Sequence, residues 1–156
     1  MNLEAIVQEV LSIRLTPIKD GSGHAKGEGT KDGWITGLSM TRIYSPANYQ
    51  LDYYAAISEA VDELRPNNGE LVQVMVNKLE AGHALLTHRD GPPDHNRYHL
   101  PVITNDHVTW WDEDSGTVHM KAGEWYGPVS YCGKLHSMMN KGMHARIHIV
   151  ADFEKE

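Results

Sequence analysis

From position 71 to 153 the chain is a train of short runs, many of them alternating apolar with polar, broken at close intervals by turn residues. That pattern restricts it to a closed or double-layered antiparallel β structure. Eight runs have strand length, at 71–79, 83–88, 97–104, 107–112, 117–120, 125–128, 134–139 and 145–153. Helical spacing is confined to the front of the chain. Leu3, Ile6, Val7, Val10 and Leu11 predict an amphipathic first helix that ends before Pro17. Positions 48–65 predict a second, with Leu51, Tyr54, Ala55, Ile57, Ser58, Val61 and Leu64 on one face and Pro66 just beyond. Trp34, Ile35, Leu38, Met40 and Ile43 mark a strand within 33–44, preceded by a glycine-rich surface loop at 20–33. The fold expected is mainly β with N-terminal helices: a jelly roll whose larger sheet is backed by those helices.

A chain of 156 residues fits one domain, 1–156, in which 1–68 forms a helical and loop support and 69–153 the jelly-roll core with the candidate site. Hydrophobic residues at 40% and charged residues at 22% are ordinary for a soluble globular protein. Cys132 is the single cysteine, so there is no internal disulfide, and a cytoplasmic location is expected. A net charge of −7 without any Lys/Arg stripe argues against nucleic acid as a partner. No apolar run approaches the roughly 20 residues that span a bilayer, and Glu4 and Glu9 interrupt the N-terminal segment, so neither a membrane partner nor a signal peptide is expected.

His88-Arg89-Asp90 carries the chemistry. On extended backbone, side chains at i and i+2 leave the same face, so His88 and Asp90 can reach one cation while Arg89 points away. A further imidazole from a distant strand, His136, completes two histidines and one carboxylate on one side of a metal ion, with the opposite positions open. That is the donor set of non-haem Fe(II) oxygenases, which bind a co-substrate and O2 there. Arg146 follows His136 by ten positions, on a strand that returns toward the site, and its guanidinium suits a carboxylate. Within 145–152, Arg146 and His148 share one face against Ile147, Ile149 and Ala151; Arg97 and His99 share a face of their own strand. Two strands thus each present an arginine and a histidine to a common interior, which favours a wet, ligand-binding cavity over unpaired burial.

These motifs, from Leu79-Glu80-Ala81-Gly82 through His88-Arg89-Asp90, Arg97-Tyr98-His99-Leu100-Pro101, Gly123-Glu124-Trp125, His136 and Asn140 to Arg146-Ile147-His148-Ile149-Val150-Ala151-Asp152, resemble the aspartyl/asparaginyl β-hydroxylase family over about 71–153. The resemblance implies a cupin-like double-stranded β-helix and an Fe(II)- and 2-oxoglutarate-dependent dioxygenase. Such an enzyme hydroxylates an amino acid or a peptide or protein side chain with O2, releasing succinate and CO2. It implies His88, Asp90 and His136 as catalytic iron ligands and Arg146 as the anchor of the distal carboxylate of 2-oxoglutarate. Arg97 and His99 fall where the family places further co-substrate contacts. Asn77 stands where some members use a small hydroxyl residue to assist the arginine. The animal members have glycine in place of Asp90, whereas bacterial relatives acting on free amino acids keep the acid.

Other readings remain at this level. A non-catalytic, metal- or metabolite-binding cupin-like protein would keep the pocket without turnover. A metal-dependent hydrolase or isomerase would use Glu124 or Asp112 as base but leaves Arg146 without a reason. Arg146 could instead pair with Asp152, and His148 reads as a satisfied core histidine. His24, His95, His107, His119 and His144 read as solvated, and Trp110, Trp111, Trp125 and Tyr126 as packing.

Overall fold

The computed structural model describes residues 1–18 and 36–155. The loop expected at 20–33, with His24, Trp34 and Ile35, lies outside the described residues. In chain order come α1 (Leu3–Ser12), β1 (Thr16–Pro17), β2 (Leu38–Tyr44), α2 (Ala55–Asp62), β3 (Leu71–Leu79), β4 (Ala84–His88) and β5 (Asn96–Ile103). β6 (Val108–Asp112), β7 (Gly116–Val118), β8 (Tyr126–Val129), β9 (His136–Asn140) and β10 (Arg146–Phe153) complete it. Two antiparallel sheets form, a larger one in the order β1-β2-β3-β10-β5-β8 and a smaller one in the order β4-β9-β6-β7. The protein is mainly β with helices at the front, as the strand pattern requires.

α1 starts where the Asn2 side chain accepts the Ala5 N–H at 3.1 Å, and it buries Ile6 and Val10. From the same helix Glu9 reaches across to α2, its two carboxylate oxygens accepting the N–H groups of Ala56 (3.1 Å) and Ile57 (2.8 Å). α2 has no local side-chain cap, so this borrowed carboxylate supplies what its first turn lacks. The helix expected over 48–65 is therefore shorter: a 3-10 turn at Gln50–Tyr53, α2, and a second 3-10 turn at Arg65–Asn67. Tyr54, at φ −120° and ψ 79°, separates the first two pieces.

Both helices cover the outer face of the larger sheet. Ile6, Val10, Ile57 and Val61 pack with Val74 and Val76 of β3, Leu100 and Val102 of β5, and Ile147, Ile149, Ala151 and Phe153 of β10. Alternation along the same strands sends Gln73, Met75, Asn77, Arg97, His99, Arg146, His148 and Asp152 to the opposite face, toward the smaller sheet. Every residue of β10 is buried, because helices lie on one side of it and the second sheet on the other. A second apolar cluster joins the sheets at one end through Leu38, Leu79, Leu85, Trp110, Met120 and Met138. Among the described residues no helix is long and apolar enough to cross a membrane.

Candidate metal and carboxylate site

β4 and β9 run antiparallel in a register that sets His88 directly across from His136, with ring centroids 4.2 Å apart. Each imidazole is held by its own strand: His88 Nδ1 lies 2.5 Å from the Leu86 carbonyl, and His136 Nδ1 lies 2.9 Å from the Lys134 carbonyl. A carbonyl can only accept, so both Nδ1 atoms carry a proton and both Nε2 atoms are turned to the cavity, where a metal ion can take the place of a proton. They converge on Asp90, His88 Nε2 at 3.5 Å from Oδ1 and His136 Nε2 at 3.3 Å from Oδ2. The ligand atoms of these three residues lie within 4.8 Å of one another. Two imidazoles and a carboxylate at this spacing fit a divalent transition metal.

Asp90 is placed by a segment that sequence reading did not single out. Its N–H donates to the Tyr131 carbonyl at 3.1 Å, and its own carbonyl accepts the Gly133 N–H at 2.9 Å. Gly133 has φ 67°, the left-handed region that favours glycine. Burial pushes the Asp90 pKa up, but the His136 and His88 rings and Arg97 outweigh it and hold the carboxyl below its ordinary value.

Arg97 is committed to acids. Its Nε and Nη2 donate to the two oxygens of Asp152, both at 2.8 Å, while Nη1 lies 3.8 Å from Asp90 and the guanidinium sits 3.9 Å above the Tyr131 ring. Gln73 also donates to Asp152, at 2.6 Å. The partner considered for Arg146 is thus taken by Arg97, which stands opposite Asp152 in the β10–β5 register.

Arg146 is 0% exposed and has no acid partner among the described residues. Nη2 points at the Met138 sulfur, Nε and Nη1 have no hydrogen-bond partner, and burial drives the pKa from 12.5 down to about 9. The same pattern holds for its neighbours. His99 and His148 meet Nδ1 to Nδ1 at 3.2 Å, and both Nε2 atoms lack partners, as does Asn77 Oδ1. His148 is therefore not the satisfied core histidine that the sequence suggested. Burial, then Arg146, pushes both imidazoles well below 6.5, so they are neutral at physiological pH. Apart from Thr104 Oγ1, every buried side-chain polar atom left without a partner among the described residues belongs to Asn77, His99, Arg146 or His148. Asn77 Oδ1 can only accept, and in a neutral pair sharing one Nδ1 proton only one of the two Nε2 atoms donates; with Nε and Nη1 of the buried guanidinium, that donor fits a bound carboxylate.

A cavity of about 560 Å³ opens between the sheets, lined by His88, Asp90 and His136 together with Asn77, Arg97, His99 and Tyr131. Gly91, Pro92 and Pro93 border it, and so does His95, which the sequence placed in solvent. Arg146 and His148 line instead a chamber of only about 10 Å³, space for no more than a water, and Trp110 and Met138 belong to the walls of both. Trp110 stacks on the His136 ring, with centroids 5.4 Å apart and planes at 21°. It is packing, as expected, but packing that orients a metal-site imidazole. Neither acid offered as a hydrolytic base lines the cavity: Asp112 accepts the Trp110 indole N–H and two backbone N–H groups, and Glu124 is exposed.

This architecture is the double-stranded β-helix of 2-oxoglutarate/Fe(II) oxygenases and cupins. An oxidoreductase of the 2OG-Fe(II) oxygenase family from Burkholderia pseudomallei aligns with a TM-score of 0.63 at 10% identity, over 99% of this chain and 79% of that one. A prolyl hydroxylase from Trichoplax adhaerens, solved with a hypoxia inducible factor oxygen degradation domain peptide fragment, aligns with a TM-score of 0.60 at 13% identity, over 97% and 76%. A Pseudomonas putida prolyl-4-hydroxylase aligns with a TM-score of 0.57 at 15% identity, over 97% and 83%. At such identities the likeness is one of fold. Comparison of the sequence with curated proteins returns no match. The chain itself belongs to the aspartyl/asparaginyl beta-hydroxylase family, whose model matches residues 2–156. Membership thus extends through the N-terminal half, where the sequence motifs showed no likeness.

Proposed function

We propose that residues 1–156 form one oxygenase domain that binds Fe(II) through His88, Asp90 and His136. It couples oxidative decarboxylation of 2-oxoglutarate by O2 to hydroxylation of an amino acid or a peptide or protein side chain. The observation that carries this reading is the pairing of the two-histidine, one-carboxylate set with a fully buried arginine that has no acid partner. When bound, the metal with its 2-oxo acid supplies the oxidising chemistry, yielding succinate and CO2.

The chain's own residues do the rest. Leu86 and Lys134 carbonyls hold Nδ1 of His88 and His136, so both imidazoles present Nε2 to the metal. Arg97 neutralises Asp152 and lies close to Asp90, keeping that carboxylate ionised and oriented. Arg146 receives the distal carboxylate of 2-oxoglutarate, with His148 and His99 offering imidazole groups beside it and Asn77 completing the polar wall. Met40, Met75 and Leu38 line the larger cavity away from the metal and keep water from the reacting carbon. The prime substrate enters past Gly91, Pro92 and Pro93, and the C–H bond that reacts is the one held nearest the metal.

Succinate formation by the purified protein with Fe(II) and 2-oxoglutarate, screened against free amino acids and short peptides, tests the reading. One or more of them should stimulate succinate release together with a mass gain of one oxygen. No succinate under any condition, from protein that binds both metal and 2-oxoglutarate, would favour a metabolite-binding cupin-like protein instead.

A further inference from the structure

Met138 stands where the metal cavity and the Arg146 chamber meet. It follows His136 by two positions on β9, so both side chains leave the same face of that strand. Only 7% exposed, it lines both cavities, and its sulfur receives the one hydrogen bond that the Arg146 guanidinium makes among the described residues. A thioether is a neutral and weak acceptor. It occupies the guanidinium without satisfying it.

The geometry points to Met138 as the residue that the enzyme oxidises in itself when it turns over with no substrate in the large cavity, and as the plug that then keeps co-substrate from Arg146. This inference rests on the oxygenase reading. The step balances as 2-oxoglutarate plus O2 plus the Met138 thioether giving succinate, CO2 and Met138 sulfoxide. The C1–C2 bond of the 2-oxo acid and the O–O bond break. One oxygen atom enters succinate and the other forms the S–O bond. The 2-oxo acid and the sulfur each give two electrons, and no proton is gained or lost. Oxidation turns an apolar side chain into a polar one. A sulfoxide oxygen turned onto Arg146 takes the seat of a carboxylate oxygen, and a guanidinium with no acid to hold it elsewhere keeps it there. The metal ligands stay intact while co-substrate affinity is lost.

Other methionines provide internal controls. Met143 is 90% exposed, so oxidants acting from bulk solvent reach it first. Met139 leaves the other face of β9, and Met40 and Met75 line the cavity from the opposite sheet.

The test incubates the whole protein with Fe(II), 2-oxoglutarate and isotope-labelled O2, without amino acid or peptide, and maps the label after trypsin digestion. One labelled oxygen on Met138, absent when either 2-oxoglutarate or O2 is withheld, is the expected result. It should accumulate as succinate formation decays. The recovered metal-free protein, reloaded with Mn(II), should bind 2-oxoglutarate at least tenfold more weakly, and reduction by methionine sulfoxide reductase should restore binding. Met138→Leu should lower the number of inactivation events per turnover at least tenfold, whatever its initial rate. Label appearing first on Met143, Met40 or Met75, or succinate formed with no label on Met138, would overturn the inference and leave the oxygenase reading standing. No succinate in this substrate-free reaction would overturn the inference alone, whereas no succinate with any amino acid or peptide either would overturn both.

Discussion

Replacing Arg146 by methionine should make the ligand-free protein more stable and the ligand-bound protein less so. The wild-type guanidinium is fully buried, its only hydrogen-bond partner among the described residues is the Met138 sulfur, and burial drags its pKa from 12.5 to about 9. A depression of that size corresponds to roughly 5 kcal/mol of unmet electrostatic demand, since each pKa unit is about 1.36 kcal/mol. Relaxation and entering water reduce the penalty. Exchange of buried charged groups for apolar side chains of similar volume typically gains about 1–4 kcal/mol. For a chain of this length each kcal/mol moves the Tm by roughly 2–4 °C, so Arg146→Met should melt higher by about 2–16 °C without ligand. Adding 2-oxoglutarate at about 100 times its Kd, with Mn(II) as a redox-silent metal, stabilises the wild type by about 2.7 kcal/mol. The variant should show no such increment while still responding to Mn(II) alone. Differential scanning fluorimetry under the four conditions reads both effects. A variant that melts lower than wild type without ligand and still gains stability from 2-oxoglutarate would refute the reasoning, because Arg146 would then be a satisfied structural cation.

Three further outcomes follow from particular contacts. Glu9→Ala removes the carboxylate that accepts the Ala56 and Ile57 N–H groups and should lower stability by about 1–2 kcal/mol in urea unfolding, with metal binding unchanged; no loss would mean that water caps α2 equally well. Gly133→Ala and Gly82→Ala, at φ 67° and φ 78° with open space around both, should each cost about 1–2 kcal/mol. Only Gly133→Ala should also weaken Mn(II) binding, because Gly133 holds the Asp90 backbone; equal metal affinity in the two variants contradicts that. His99 and His148 stay neutral when folded, held well below 6.5 by burial and by Arg146, whereas in the unfolded chain they take up protons near that value. Their contribution to stability is therefore complete above about pH 6.5 and is lost as pH falls below it, by at most about 2.7 kcal/mol per pH unit for the pair. Urea unfolding of metal-free protein at pH 7.5 and pH 5.5 checks this, and identical stabilities would count against it.

Much of this was legible in the sequence where a short local period determines the answer. Alternation in 145–153 separates Ile147, Ile149 and Ala151, which face the helices, from Arg146, His148 and Asp152, which face the second sheet. The i, i+2 spacing brings His88 and Asp90 to one point. What local pattern does not carry is register. Asp152 was an acid that either arginine could take, and only the pairing of β10 with β5 places it opposite Arg97 and leaves Arg146 without an acid. The His99–His148 contact depends on the same pairing. The Tyr131–Gly133 support of Asp90 uses backbone groups, which leave no signature in side-chain types. Likewise the end of the second helix was overextended because its N-terminal cap comes from Glu9, 47 positions away from Ala56. β1 escaped notice because a two-residue strand has no period to read.

The central claim is that one metal ion, held by His88, Asp90 and His136, and one 2-oxo acid, anchored by Arg146, occupy the space between the sheets together. Visible absorption under strictly anaerobic conditions tests it most directly, by titrating Fe(II) and then 2-oxoglutarate into metal-free protein. The account predicts a weak metal-to-ligand charge-transfer band that requires both additions, saturates at one equivalent of each, and is lost in Arg146→Met protein that still binds iron. Folded wild-type protein that binds Fe(II) yet develops no band with 2-oxoglutarate, or a band of full strength in Arg146→Met, would contradict it.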